Sequence, residues 1–354
     1  MVQRKQSDSI ISMTRIAIVL TIIVITLGAW TRLNDAGLGC PDWPGCYGQF
    51  TVPQTSAEIA RAESEYVGAR VDVNKGWIEM IHRYAAGLLG FLILLVAVQV
   101  WRCKGKTDYP ARLSFLLLLL VVLQGLFGMW TVTLKLLPIV VTVHLLGGLL
   151  TLTLLVIFYQ RLIYMKNETA RQGGGLLANA AMVGVALLFV QSALGGWTSA
   201  NYAGWSCNHW FFCQLDIVTE FDFSTAFNLG MNIGPDYQGG LLEQPARAAI
   251  QMVHRFGAVI VVIALTGIGL LAFFRAGSEL RQPAVCLCLM AWIQVGIGIA
   301  NVVLVLPLPL AMAHHSGAVV LLLNLLWLRA IAMQMEFVGS EKLRSDNQME
   351  AIHG

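Results

Sequence analysis

Charge is what this 354-residue chain has least of. Asp, Glu, Lys and Arg make up 12% of it, where a soluble globular protein carries about 25%. That scarcity excludes a disordered protein and an ordinary cytosolic enzyme. Cysteine is sparse as well, with seven residues in the whole chain, which excludes a small secreted domain built on disulfides. The net charge of +3 is too small and too dispersed to suggest nucleic acid as a partner. What is abundant is apolar: 57% of the residues are hydrophobic, and the mean hydropathy is +0.69. A bilayer-spanning helix needs about 20 mostly apolar residues, so the composition points to an all-α polytopic membrane protein, with lipid as its surroundings.

Eight apolar stretches follow along the chain, at approximately 10–31, 77–101, 113–134, 138–164, 175–199, 247–274, 283–305 and 310–335. Arg4 and Lys5 precede the first, as in a signal peptide, but no small-residue cleavage site interrupts the run to Trp30. It reads as a retained helix. Basic residues cluster on alternate connections: Arg4, Lys5 and Arg15; Arg102, Lys104, Lys106 and Arg112; Arg161, Lys166 and Arg171; Arg275 and Arg281; Lys342 and Arg344. The stretch 200–246 has no Lys or Arg at all, yet holds Asp216, Glu220, Asp222, Asp236 and Glu243. The positive-inside rule then puts both termini in the cytoplasm and the long loops 32–76 and 200–246 outside.

The chain also repeats itself. LGAWTRLNDAGLGCPDWPGC from Leu27 matches LGGWTSANYAGWSCNHWFFC from Leu194 at an offset of 167. This aligns Trp30 with Trp197, Asn34 with Asn201, Cys40 with Cys207, Trp43 with Trp210 and Cys46 with Cys213. EMIHRYAAG at Glu79 matches QMVHRFGAV at Gln251, offset 172, and Gln124, Gly128 and His144 match Gln294, Gly298 and His314, offset 170. Three matches in order, anchored on rare residues, indicate a duplication. The expected architecture is two tandem four-helix bundles, 1–171 and 172–354. Four crossings return the chain to its starting side, so the halves share one orientation and are expected to be related by a pseudo-two-fold axis along the membrane normal.

Of seven histidines, four belong to the repeat: His82, His144, His254 and His314. Each lies a few residues into a helix running from outside to inside, so all four sit at similar depth, where ionisable groups are costly and usually functional. Two imidazoles from parallel helices of one bundle can clasp an iron porphyrin from both faces. Zinc fits less well, because no Cys or carboxylate completes a tetrahedral set in the second half. His315 is adjacent to His314, but the 20-residue spacing from Gln124 to His144 recurs between Gln294 and His314, which favours His314 as the ligand. His209 and His353 fall outside the pattern.

Around these histidines lie three further sets of residues. Arg83 and Arg255 follow the first histidine of each half and suit either a haem propionate or snorkelling to headgroups. Cys40 with Cys46, and Cys207 with Cys213, form C-x5-C pairs on the oxidising side. The repeat favours closure within each loop, as a staple or as a redox pair. Cys103, Cys286 and Cys288 read as free thiols. Glu79 lies three residues before His82, on the same helical face, where a carboxylate could accept a proton or stabilise developing positive charge. Its counterpart Gln251 could do neither. One reactive site and one relay site is the division this suggests.

The residues E-x-x-H at Glu79, the histidines at 144, 254 and 314, both Cys pairs and above all GLGCPDWPGCYG in the first loop resemble the haem A synthase family of bacterial and mitochondrial membranes. That resemblance covers all eight helices. It implies oxidation of the C8 methyl group of haem O to a formyl group, with oxygen from water, to give haem A for terminal oxidases. It also implies a haem b cofactor held by His254 and His314, substrate haem O held by His82 and His144, and Glu79 assisting the chemistry. A haem O synthase, an electron acceptor such as quinone and a second copy of the chain are the partners to look for, in the cell (inner) membrane. A non-catalytic di-haem carrier delivering electrons to quinone would explain the histidines equally but not Glu79. A thiol oxidoreductase would explain the cysteines but not the histidines.

Overall fold

The computed structural model describes residues 2–103, 109–166, 175–207, 213, 220–275 and 277–353, with side chains between residues 7 and 334. Lys104, Lys106, Arg171, His209, Trp210 and Asp216, and the side chains of Arg4, Lys5, Lys342, Arg344 and His353, lie outside that description. Among the described residues there are ten helices and no strand: α1 Val2–Leu33, α2 Ser56–Glu65, α3 Val73–Arg102, α4 Ala111–Thr133, α5 Pro138–Lys166, α6 Leu176–Ala200, α7 Phe223–Ala226, α8 Gln244–Arg275, α9 Ser278–Val303 and α10 Leu308–His353. Eight of them are long and apolar enough to cross a bilayer, and they are the eight stretches expected above. The protein is a multi-pass, all-helical membrane protein.

Several helices run further than their apolar stretches. The apolar part of α10 ends near Gln334 while the helix continues to His353, because a polar sequence free of proline gives the backbone no reason to stop. The short helices α2 and α7 carry no apolar run and are set by their caps. The Thr55 side chain accepts from the Glu58 N–H while Glu58 accepts from the Thr55 N–H, a capping box. Asp222 accepts from the Thr225 N–H at the head of α7. Hydrogen bonds from Thr225, through its side chain and backbone, and from the Ser224 hydroxyl hold the Asp222 carboxyl down to about 2.

Helix packing follows the sequence duplication. α1 packs on α3 and α5, and α4 packs on the same two. Likewise α6 packs on α8 and α10, and α9 packs on the same two. The two groups meet through α5 with α6, α1 with α10, and α5 with α10. Buried Ile10, Ile93, Val100, Leu155, Phe158 and Leu162 fill the first group, and Leu265, Leu287, Leu325 and Leu326 the second. With lipid outside, association depends on close packing and small residues. Gly184 of α6 is such a place, since a Cβ there would sit 2.9 Å from Leu325 and 3.2 Å from Leu265.

Four spanning helices, α1, α4, α6 and α9, end alike. Asp35, Lys135, Tyr202 and Val305 take left-handed backbone conformations with φ of 49°, 48°, 53° and 58°. The next N–H in each then bonds back to the carbonyl five residues earlier: Ala36 to Thr31, Leu136 to Thr131, Ala203 to Thr198 and Leu306 to Asn301. This is the Schellman ending, here without glycine. It turns α4 straight into α5 and α9 into α10, and it starts the two long loops after α1 and α6.

Candidate functional site

Each of the four repeat histidines rests on a glycine of the preceding spanning helix. A Cβ at Gly28 would lie 3.0 Å from the Cε1 of His82; at Gly195, 3.1 Å from that of His254; at Gly298, 3.2 Å from that of His314; and at Gly128, 3.6 Å from that of His144. A larger residue at the first three positions would push the imidazole aside. The Nδ1 atoms of His82, His144 and His314 are buried without a hydrogen-bond partner, a costly arrangement for a polar atom. His254 Nδ1 lies 3.0 Å from Gln191 Nε2. His315 points elsewhere: it lies beside the Ile25 carbonyl of α1, at the contact between the two helix groups. Gln294 donates to the His314 carbonyl at 2.6 Å, and it is the His314 ring that faces Gly298.

Over the first histidine of each half, a long loop is tied to the helix by one residue pair. Glu79 is buried; its Oε2 accepts from the Cys40 N–H at 2.9 Å and its Oε1 pairs with Arg83 at 2.5 Å. Arg83 also donates to the carbonyls of Asp42, at 2.9 Å, and Gly45, at 2.5 Å. In the second half Gln251 Oε1 accepts from the Cys207 N–H at 2.7 Å, and its Nε2 donates to the Gly204 carbonyl at 2.6 Å. Arg255 donates to the Cys207 carbonyl at 2.8 Å. Both arginines therefore reach loop carbonyls, a role that neither the propionate nor the headgroup reading anticipated.

The cysteines pair as the repeat suggests, Cys40 with Cys46 and Cys207 with Cys213, each across six residues; Cys103, Cys286 and Cys288 are free. The first loop is further set by Asp42, which accepts from the Tyr47 N–H at 2.6 Å and the Gly48 N–H at 2.8 Å. Gly39 is there because nothing larger fits: a Cβ would lie 2.6 Å from the Lys75 backbone. Tyr47, outside the spans, has its phenol raised by burial and by the neighbouring carboxylates of Glu63 and Asp42.

This donor set has a definite chemistry. Among the described residues no three His, Cys, Asp or Glu side chains converge where a metal ion could sit, so a tetrahedral zinc site has no candidate there. Four part-buried imidazoles, three of them with an unpartnered ring nitrogen and each seated on a small residue, suit instead a flat metal macrocycle. The residues present fit a haem. What the sequence left unread is the glycine seat under each ring and Gln191, the amide beside His254. Gly28 and Gly195 were already aligned in the first repeat block, but a repeat does not say which helix faces a ring.

Comparison with known proteins agrees along the whole bundle. The family model for the cytochrome oxidase assembly protein COX15-CtaA matches residues 12–326. A heme A synthase of Shewanella oneidensis is 40% identical over 315 residues, 88% of this chain and 93% of that protein. Those of Chelativorans sp., 28% identical over 70% of this chain and 69% of its own length, and Sphingopyxis alaskensis, 30% identical over 54% and 58%, are more distant.

Proposed function

Because the chain belongs to the COX15-CtaA family of cytochrome oxidase assembly proteins, we propose that it is a haem A synthase, oxidising the C8 methyl group of haem O to a formyl group. The observation that carries this reading is the set of four histidines on glycine seats, His82 near His144 and His254 near His314. His82 and His144 hold the substrate haem in the N-terminal half, 1–171. His254 and His314 hold haem b in the C-terminal half, 172–354. Haem b, when bound, supplies a one-electron relay.

The chain's own groups then have separable tasks. The glycine seats fix the imidazole planes. The disulfide loops, tied down by Glu79 and Arg83 in one half and by Gln251 and Arg255 in the other, close the end of each bundle against water. Glu79 carries a carboxylate one helical turn from His82 and assists the oxidation by stabilising positive charge or taking up a proton; Gln251 holds its loop without that charge. Basic residues place the termini in the cytoplasm and the disulfides outside the inner membrane.

A pseudo-two-fold relation of the halves is supported by residues that touch their own repeat counterparts, since related points meet only beside an axis. The Arg32 guanidinium donates to the carbonyl of Ser199, 167 residues on. The Tyr202 hydroxyl donates to Asp35, again 167 residues away, at 2.7 Å.

The decisive experiment is extraction of the haems from purified protein. Haem O, its alcohol intermediate or haem A alongside haem b is the expected result. Haem b alone in both halves would turn the reading into that of a di-haem electron carrier.

A further inference from the structure

A glutamine stands over three of the four histidine sites and is missing from the fourth. Gln191 of α6 donates from Nε2 to the His254 backbone carbonyl at 2.8 Å, and Gln294 of α9 donates to that of His314 at 2.6 Å. In both cases the amide lies in a notch left by a glycine three residues after the histidine. A Cβ at Gly257 would collide with Gln191, and one at Gly317 with Gln294. Gln124 of α4 fills the same notch at Gly147, three residues after His144. The repeat offsets of 167 and 172 put Val24 where Gln191 stands and Ala85 where Gly257 stands. Neither the amide nor the notch exists there, and His82 lies simply beside the Val24 carbonyl of α1.

The glutamine clamp ties the backbone of a ligand-bearing helix to its neighbour, and outer partners of this kind hold a metal ligand in place. We propose that the missing clamp makes His82 the first ligand to release, so that the substrate porphyrin opens on the His82 side and then parts from His144, while His254 and His314 keep their hold. On release each coordinate bond, to His82 first and then to His144, breaks with its electron pair staying on the imidazole ring, so no oxidant or reductant is consumed. The inference rests on the haem reading above and gives it a reason in this chain's own residues. A substrate must exchange at every turnover and a relay must not, and the half with one filled notch differs from the half with two in that respect. Gln124, Gln191 and Gln294 are positioning residues here.

The test follows haem loss from purified protein in lipid nanodiscs to excess apomyoglobin, with carbon monoxide binding to the reduced protein as a spectroscopic measure of an open axial position. Two phases of loss are expected from the unaltered protein, the fast one accompanied by carbon monoxide binding. Installing the clamp with Val24→Gln and Ala85→Gly should slow the fast phase by about tenfold or more and reduce carbon monoxide binding. Removing one with Gln191→Val and Gly257→Ala should speed the slow phase by a similar factor. If the installed clamp misfolds, the removal variant decides, and an unchanged slow phase overturns the proposal. Two bound haems with a fast phase indifferent to Val24→Gln and Ala85→Gly would sink the proposal and leave the haem reading standing. Protein that binds no haem would sink both.

Discussion

The two halves fasten their long loops at the same points with different charges. In the first, the Cys40 N–H and the Arg83 guanidinium share one carboxylate, Glu79. In the second, an amide does both jobs by itself: Gln251 accepts from the Cys207 N–H and donates to the Gly204 carbonyl, leaving Arg255 to bind the Cys207 carbonyl. A neutral residue is therefore sufficient to hold such a loop. The second half keeps its part-buried arginine but does without a buried carboxylate, a desolvation cost that Glu79 adds in the first half; under the proposed function that carboxylate serves the chemistry. The same half also lacks a clamp on one histidine. Both differences fall where the substrate is proposed to sit.

The largest expected effect lies in the C-terminal half. His254→Ala or His314→Ala should lose the haem b signal, while His315→Ala, whose ring lies beside Ile25, should keep most of it. The reduced-minus-oxidised spectrum and pyridine haemochromogen assay give the answer, and an empty site in His315→Ala alone would move the ligand by one residue. Next in size is Glu79→Gln. It should fold and retain haem b, because Gln holds the equivalent position in the other half, yet haem A formation should drop by about 10²–10⁴, with haem O or an intermediate accumulating. Normal haem A output would remove Glu79 from the chemistry.

Smaller effects bear on the loops. Cys46→Ser and Cys213→Ser should each cost about 2 kcal/mol, the loop-closure value for so short a ring, and should do so about equally in both halves. Thermal melts test this, and a much larger loss in one half would mean that its disulfide supports more than its own loop. The reverse substitution, Gln251→Glu, gives up the bond to Gly204 but offers Arg255 the i,i+4 partner that Arg83 already has. A net change within about 1 kcal/mol is expected, with haem A output near normal. Output falling as far as in Glu79→Gln would show that the acidic residue is not where the halves differ functionally.

Much of this was legible in the sequence because it rests on rare residues at repeated offsets. His82, His144, His254 and His314, the Cys pairs and Glu79 opposite Gln251 are such residues, and the eight spans needed only apolar length. The glycine seats, Gln191 and the loop-directed Arg83 and Arg255 were not legible. Each depends on how two helices, or a helix and a loop, are rotated against one another, and apolar helices carry little pattern that fixes rotation. Helices α2 and α7 escaped for a different reason: capping hydrogen bonds define them, while hydropathy sees only polar loop.

The four Schellman endings have a practical consequence. A left-handed backbone costs a residue with a Cβ about 1–2 kcal/mol, and Asp35, Lys135, Tyr202 and Val305 all bear it. Asp35 and Tyr202 use their side chains for the bond between the halves. Lys135 and Val305 are exposed, and neither forms a side-chain hydrogen bond among the described residues. Lys135→Gly and Val305→Gly would keep both turns while relieving that cost. Someone purifying this protein from detergent would find there two sites for raising its thermal tolerance without replacing a histidine, a cysteine or a residue of a membrane-spanning helix.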